Sequence, residues 1–176
     1  RVARLHRCES VLLGLSDISR EESKLEPLLQ TLDANVVVLR SRRGWQLSEV
    51  ENILIPVAGR GGHEDLQALL LGSLLRSKKR TVTFLRVLPT SASPDELRRA
   101  RVALNRLADD EVREPCQVEV VRSDDALATV AARAEASDLT ILGVQRHSRR
   151  KKLFGDFTRQ MAQRTTCPLI LISHRG

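Results

Sequence analysis

A loop between two apolar segments carries the residues of this chain that are best suited to bind phosphate. Residues 139–158 read LTILGVQRHSRRKKLFGDFT, a strand pattern that runs into a glycine and then, after a second glycine, into a helix pattern. In α/β proteins, a glycine loop before a helix N-terminus presents backbone N–H groups to phosphates. Five basic residues stand in this loop: Arg146, Arg149, Arg150, Lys151 and Lys152. Three interpretations are open: a working nucleotide loop, an altered one, and a solvated basic turn.

The other reactive residue types form no pattern of a catalytic or metal site. The three cysteines are far apart without a C-x-x-C pair, and the four histidines lack metal-ligand spacing. The acidic pairs 109–110 and 124–125 lie near predicted helix ends, where capping is the usual role of aspartate. Ser148 adjoins His147, but adjacency in sequence does not make a catalytic triad. We therefore expect no enzyme activity and no bound metal.

The composition describes a basic, folded chain with one complete domain and part of another. Its 176 residues are 41% apolar and 29% charged, and the net charge is +7. This charge favours an anionic partner, such as a nucleotide, nucleic acid or lipid headgroups, although a solvated basic surface is an equal alternative. Aromatic residues are only 2% of the chain, whereas proteins that bind single-stranded nucleic acid rely on aromatic stacking. Nucleic acid is therefore not an expected partner.

Alternating strand and helix patterns must position the loop. Apolar strands are predicted at 52–58, 81–88, 116–121, 138–144 and 168–173, with a helix in each of the four intervals. Continuous apolar strands joined by helices indicate a parallel sheet covered on both faces. The predicted fold is therefore α/β, a doubly wound five-stranded parallel sheet.

Helical spacing also predicts which side chains face the core and which residues begin each helix. In the first helix the predicted apolar face consists of Leu66, Leu69, Leu70 and Leu74. The last helix is predicted over 155–165 with Phe157 and Met161 inward. Ser93, Pro94 and Glu96 predict a capping box, and Ser123 is the predicted cap of the third helix.

The start of the chain repeats the end of the alternating pattern. ARLHRCESVLLGL at 3–15 aligns with ARAEASDLTILGV at 132–144, a shift of 129 positions. ANVVVLRS at 34–41 aligns with CPLILISH at 167–174, a shift of 133. The second copy is therefore four residues longer between its two strands, in the part that contains the basic loop. Chance similarity of two βαβ segments is the alternative.

This repetition predicts three parts. Residues 1–43 are the C-terminal fragment of a first repeat, residues 44–50 are a linker, and residues 51–176 are a complete domain. Trp45 in the linker is expected to pack at the junction of the two repeats. The opening segment RVARLHRCE has no initiator Met and no signal pattern, which favours a fragment cut from a longer protein.

Residues 51–173 resemble the universal stress protein family. The resemblance is carried by NILIPVAGRGGHED at the start and by ASDLTILGVQRHSRRKKLFGDFTRQMAQRTTCPLILIS at the end. It implies a Rossmann-like fold of the adenine nucleotide alpha hydrolase-like type, and residues 1–43 look like the tail of a preceding copy, as in tandem members. It also implies pairing through the last strand of each copy, NVVVLR and PLILIS, within the tandem chain or in a homodimer.

Family members bind ATP through a loop of the form G-x2-G-x9-G-[ST], helped by an aspartate after the first strand. Gly143 and Gly155 match the first and third glycines. Arg146 stands at the second, only eight residues separate it from Gly155, Asp156 replaces the hydroxyl residue, and Ala58 replaces the aspartate. At about 4 Å and an effective dielectric near 20, a carboxylate would repel phosphate by about 4 kcal/mol.

The resemblance leaves two alternatives for the candidate nucleotide or anion site: it binds a nucleotide as in the family, or it has lost this function. Thr158 matches a further hydroxyl position that the family uses. The candidate residues are Val57, Ala58, Val87, Gly143, Arg146, His147, Gly155, Asp156, Phe157 and Thr158.

Two functions follow from the resemblance. The first is a non-catalytic regulatory module in the cytosolic tail of a bacterial transporter, such as chloride-channel-like, cation–chloride cotransporter-like or amino-acid-permease-like proteins. It needs no cofactor, and its partners would be its own transmembrane domain and an anionic membrane surface at the inner face of the cell membrane. The alternative is a soluble cytoplasmic stress protein that binds ATP or another adenine nucleotide.

Overall fold

Strands and helices alternate from residue 52 onward. The computed structural model describes residues 9–15, 34–58, 64–112, 115–144 and 155–173. The strands are β1 (Ser10–Leu15), β2 (Asn35–Arg40), β3 (Asn52–Pro56), β4 (Thr81–Leu88), β5 (Gln117–Arg122), β6 (Leu139–Gly143) and β7 (Leu169–Ser173). The helices are α1 (Glu64–Ser77), α2 (Pro94–Glu111), α3 (Ala126–Glu135) and α4 (Asp156–Arg164), and a 3₁₀ turn spans Leu47–Glu49.

All seven strands form one sheet in the order β1-β2-β7-β6-β3-β4-β5. Neighbours from β7 to β5 pair in parallel. At the other end β1 is parallel to β2, and β2 pairs antiparallel with β7, with Val38 opposite Leu171. The predicted doubly wound α/β fold is therefore confirmed, and two further strands extend its sheet. The antiparallel pair β2 and β7 consists of NVVVLR and PLILIS, the candidates for pairing named from the sequence.

The sheet separates two apolar cores. On one face, α1 and α2 pack against a cluster that includes Leu71, Phe84 and Ile141. On the other, α3 and α4 pack against a cluster that includes Leu54 and Met161. Each of these side chains is almost fully buried and contributes about 2 kcal/mol to folding by leaving water. Helices on both faces explain why the strands read as continuous apolar runs.

The two aligned segments have the same strand register. Thr140 of β6 lies opposite Leu169 of β7. The shifts of 129 and 133 positions map this pair onto Val11 and Val36, which lie opposite each other in β1 and β2. The correspondence read from the sequence therefore holds in the backbone pairing.

Two predicted inward side chains are exposed instead. Leu69 is 71% exposed, because the buried arc of α1 is centred between Leu66 and Leu71 and Leu69 lies on the opposite side of the helix. Phe157 is 40% exposed although it lies one turn before Met161, because the buried face of α4 is centred between Thr158 and Met161 and Phe157 stands at the border of that face. Both predictions were wrong, whereas the inward position of Met161 is confirmed.

The caps of two helices were only partly predicted. Ser93 accepts from the Glu96 N–H at 3.2 Å and Glu96 returns a bond to the Ser93 N–H at 2.7 Å, so the capping box is confirmed. The cap of α3 is Asp125, which accepts from the Ala128 N–H at 2.8 Å. Ser123 instead bonds to the Asp125 backbone at 3.2 Å, so its predicted capping role was wrong.

The buried side chain of Arg80 ties the linker to α1. Its Nε donates to the Val50 carbonyl at 3.1 Å, and its Nη2 donates to the Leu47 carbonyl at 3.1 Å. Its Nη1 donates to the Leu74 carbonyl and, at 3.0 Å, to the Ser77 hydroxyl. Only 6% of the residue is exposed, so one guanidinium satisfies backbone carbonyls at the linker and at the end of the helix.

The linker itself turns at Gly44. This residue has φ +85°, a left-handed conformation that favours glycine. The turn brings the Trp45 N–H to the Arg42 carbonyl at 3.2 Å. The Trp45 side chain packs against the α1–α2 core, which also contains Val37 of β2.

Two carboxylates fix the segments that lead into β6 and β7. Asp138 accepts from the N–H groups of Glu51 and Asn52 at 3.0 and 2.8 Å, which holds the start of β3. Glu135 accepts from the Thr165 hydroxyl at 2.7 Å and from the Thr166 N–H at 2.6 Å. These bonds fasten the end of α3 to the residues before β7.

We expect Glu135→Gln to lower the free energy of unfolding by about 1 kcal/mol at pH 7, because Glu135 is exposed and its charged hydrogen bonds are partly screened. The hydroxyl of Thr165 and the N–H of Thr166 lower the pKa of Glu135 below its ordinary value of 4.5. This stability is therefore present above pH 4.5 and is lost as the pH falls through the folded-state pKa. Urea unfolding at a series of pH values should show the difference from wild type shrinking in acid. Glu49→Gln is the exposed control, and a difference that stays constant down to pH ~3 would contradict the assignment.

Candidate nucleotide and anion site

The candidate site lies where the direction of the chain connections reverses. β3 pairs with β4 on one side and with β6 on the other, so the connections that leave β3 and β6 run in opposite directions. In open α/β sheets, ligands bind outside the carboxyl ends of the strands at such a switch point. The residues after β3, the end of β6 and the start of α4 therefore define the site.

The side chain of an arginine from β4 lies at the end of β3. Val57 continues the ladder, donating its N–H to the Leu85 carbonyl at 2.8 Å. Its own carbonyl accepts from the Arg86 Nη1 at 3.1 Å. Ala58 follows and is exposed. A guanidinium is thus held beside the position at which the family motif has an aspartate.

Two of the apolar candidates lie on opposite faces of the sheet. Val57 packs against the core under α1 and α2, whereas Val87 packs against the core under α3 and α4. Val87 pairs with Val121 of β5. These two valines therefore do not line one common surface.

The glycines at the end of β6 and before α4 have ordinary backbones. Gly143 lies opposite Ile172, and the next N–H, from Val144, donates to the Ile172 carbonyl at 2.7 Å. Gly155 is the N-cap of α4 with φ −63° and ψ 162°, and a Cβ built there meets no described atom within 4 Å. Neither strain nor crowding among the described residues explains the glycine at 155.

The N-terminus of α4 carries an ion pair. Asp156 is the first residue of the helix, and its carboxylate accepts from the Arg159 guanidinium one turn later. A carboxylate at this end suits the helix dipole. Because Arg159 partly neutralises Asp156, the repulsion of a phosphate is smaller than that of an isolated carboxylate. The pair still occupies the end of the helix that a phosphate would use.

The other candidates do not present a binding surface together. Thr158 is buried and Phe157 points partly to solvent. Arg146 and His147, with the remainder of the basic loop, lie outside the described residues. The structure therefore places β3 beside β6, so that Val57 and Ala58 follow one strand and Gly143 ends its neighbour, whereas Val87 packs on the other face of the sheet from Val57.

Two further properties hold for residues 9–15, 34–58, 64–112, 115–144 and 155–173. Within them, no group of three or more His, Cys, Asp or Glu side chains could hold a metal ion. None of the helices in these ranges is both long and apolar enough to span a bilayer.

Comparison with protein families agrees with this geometry. Residues 49–173 match the model of the universal stress protein family. The chain belongs to the universal stress protein family. The matched segment begins in the linker and ends with β7, so it contains the whole of the five-stranded parallel unit. No curated protein is a significant match to the sequence.

Several solved structures share the fold. The cytoplasmic domain of a prokaryotic cation chloride cotransporter matches with a TM-score of 0.69 at 16% identity, covering 96% of this chain and 65% of that one. A universal stress protein from Archaeoglobus fulgidus DSM 4304 matches with a TM-score of 0.60 at 13% identity, covering 96% and 61%. The chain thus spans less than two thirds of either structure.

A third match contains a nucleotide. The universal stress protein from Archaeoglobus fulgidus in complex with dAMP has a TM-score of 0.54 at 16% identity, covering 69% of this chain and 97% of that one. The first two matches therefore include residues before 44, whereas this one covers a share of the chain similar to that of the family match.

Two arginines near the site were missed from the sequence. Arg86 lies in the apolar strand TVTFLRVL, where an isolated charge was the available signal. Arg159 follows Asp156 by three residues, a helical spacing that brings opposite charges together. Both signals are local. Their meaning depends on the positions of the C-terminal end of β3 and the N-terminus of α4, which the structure supplies.

Proposed function

We propose that this universal stress protein domain is a non-catalytic regulatory module in the cytosolic tail of a membrane ion or solute transporter. The observation that carries the proposal is the ion pair of Asp156 and Arg159 at the start of α4. A phosphate bound there would face the carboxylate of Asp156 at the position where the family motif has a hydroxyl group. A domain that keeps the fold without this phosphate contact is suited to transmit contacts between proteins.

The end of β3 supports the same conclusion. Ala58 offers no side-chain acceptor for a ribose hydroxyl, and the Arg86 guanidinium is already bonded to the Val57 carbonyl. The N-terminus of α4 thus lacks the hydroxyl group of the nucleotide motif, and the end of β3 lacks its carboxylate acceptor. The anion-binding capacity that remains resides in basic side chains.

The placement in a transporter is supported by the fold match to the cotransporter domain. That match covers 96% of this chain, including β1 and β2. We therefore propose a cytoplasmic location at the inner face of the membrane, with the chain's own transmembrane domain as a partner. Sequencing upstream of Arg1 tests this placement: transmembrane segments are expected, and a start codon within a few codons of Arg1 would contradict it.

The second candidate is a soluble protein that binds an adenine nucleotide. It is favoured by Gly143 and Gly155, which stand at the ends of β6 and of the loop, and by the family relative in complex with dAMP. The lack of a structural need for glycine at 155 suits a former or present ligand contact.

Thermal unfolding with and without ATP distinguishes the two candidates. A site filled at 100 times its Kd would stabilise the fold by about 2.7 kcal/mol, which raises Tm by about 5–10 °C in a chain of this size. We expect no shift in wild type, and a shift in the variant Arg146→Gly/Asp156→Ser, which restores two motif positions.

The matched control makes the same two residue changes elsewhere, in Arg150→Gly/Asp110→Ser. It should remain insensitive to ATP. A shift of several degrees in wild type would favour the nucleotide-binding stress protein and reject the altered-loop interpretation.

A further inference from the structure

A second concave surface lies between the first turns of α2 and the edge strand β5. We call it the edge groove. It is lined by Leu97, Arg98 and Arg101 of α2 and by Val120 and Arg122 of β5. It is separate from the site at the ends of β3 and β6, because β4 lies between β3 and β5.

The floor of the edge groove is apolar. Val120 is half-buried and packs against the core under α1 and α2. Leu97 is also half-buried, one turn into the helix. The lining contains no aromatic residue, so the floor suits an aliphatic group better than a stacked nucleobase.

The rim is positively charged and only partly neutralised. Arg98 pairs with Asp95 at 2.8 Å, but both side chains are largely exposed, so this pair is weak. The guanidinium groups of Arg101 and Arg122 make no hydrogen bond or ion pair with any residue in the described ranges. Their guanidinium groups therefore remain available to an anion.

Two acidic residues in or directly after β5 have partners outside the edge groove. Glu119 of β5 pairs with Arg133 of α3, on the other face of the sheet. Asp124, which follows β5, accepts from the Thr90 N–H at 2.9 Å. Neither carboxylate is free to neutralise the edge groove.

We propose that the edge groove binds a phosphate monoester attached to an aliphatic body. Guanidinium groups match the oxygens of phosphate with two parallel hydrogen bonds, which an ammonium cannot do. Arg101 and Arg122 would hold the phosphate, with Leu97 and Val120 in contact with the aliphatic part. The ligand is either the headgroup region of an anionic lipid or a soluble alkyl phosphate, since both present the same chemistry.

Calorimetric titration of the whole chain with octyl phosphate tests the site. Removal of two charge-assisted contacts should weaken binding by about tenfold or more in Arg101→Ala/Arg122→Ala. Arg99→Ala/Arg106→Ala is the matched control, because it removes the same charge from α2 outside the groove, and it should change affinity less than about twofold. Inorganic phosphate should bind wild type at least about tenfold more weakly than octyl phosphate, since it lacks the apolar part.

Equal affinity in wild type and in Arg101→Ala/Arg122→Ala would overturn the proposal, as would equal losses in the control. Thermal unfolding verifies that both variants fold. If Arg101→Ala/Arg122→Ala does not fold, Arg101→Gln/Arg122→Gln takes its place. Sedimentation with phosphatidylcholine vesicles containing phosphatidate then identifies the source. Vesicle binding that depends on Arg101 and Arg122 indicates a lipid. If the protein binds octyl phosphate but not the vesicles, the ligand is a soluble ester.

Discussion

Replacing Arg80 by alanine is expected to lower the free energy of unfolding by about 3 kcal/mol or more. The change removes the buried donor shared by the carbonyls of Leu47, Val50 and Leu74. The Leu47 carbonyl keeps the Val50 N–H at 3.3 Å and the Leu74 carbonyl keeps the Ser77 hydroxyl at 2.9 Å, so the Val50 carbonyl loses most. The substitution also opens a cavity where the guanidinium was buried. Urea denaturation followed by circular dichroism measures the loss.

Two controls separate this network from a general effect of charge. Arg80→Lys keeps the charge but cannot reach the linker and α1 together, so it should recover only part of the stability. Arg76→Ala removes an exposed arginine of α1 whose side chain, among the described residues, bonds to the Ser73 hydroxyl alone at 3.4 Å, and it should change stability by less than about 0.5 kcal/mol. A loss in Arg80→Ala no larger than that of Arg76→Ala would show that the linker is not held by this side chain.

Placing an aspartate at Val38 is expected to destabilise the whole chain by about 4 kcal/mol or more. Val38 is 1% exposed and lies in β2 opposite Leu171 of β7, within the core under α3 and α4. A carboxylate there has no partner to offset its loss of water. Because β2 is continuous with the main sheet, unfolding should remain a single transition at a lower urea concentration.

Leu12→Asp is the matched control for this change. Leu12 lies in β1, next to β2, but its side chain is 69% exposed. The same substitution should therefore cost less than about 0.5 kcal/mol. If Val38→Asp instead melts residues before the linker while the midpoint of the rest is unchanged, β2 would be a loosely attached strand.

The fold was predictable because its signals are periodic. Continuous apolar strands in alternation with helices predicted the sheet from residue 52 onward, and Ser93 with Glu96 predicted the start of α2. In the leucine-rich sequence of α1, however, the spacing of apolar residues does not identify one buried face. With apolar residues around most of the helix, spacing could not decide that Leu71 is buried and Leu69 is exposed.

The site was less predictable, since its chemistry depends on contacts between distant elements. Gly143 and Gly155 were found by motif, but the bond from Arg86 to Val57 requires the relative placement of β3 and β4. The edge groove likewise joins α2 to β5, and no local pattern connects Arg101 with Arg122. The cap of α3 had two candidates two residues apart, and hydrogen-bond geometry selected Asp125.

The antiparallel pairing of β2 with β7 gives the molecule two opposite poles. The parallel strands β3 to β7 all end at one edge of the sheet, whereas β1 and β2 end at the other. With six residues in a strand, the two edges are about 20 Å apart. Gly14 and Gly143, which the sequence alignment places at equivalent positions, lie at or next to the C-terminal ends of β1 and β6 and so at opposite edges of the sheet. A small ligand bound at one edge of the sheet therefore does not reach the other edge.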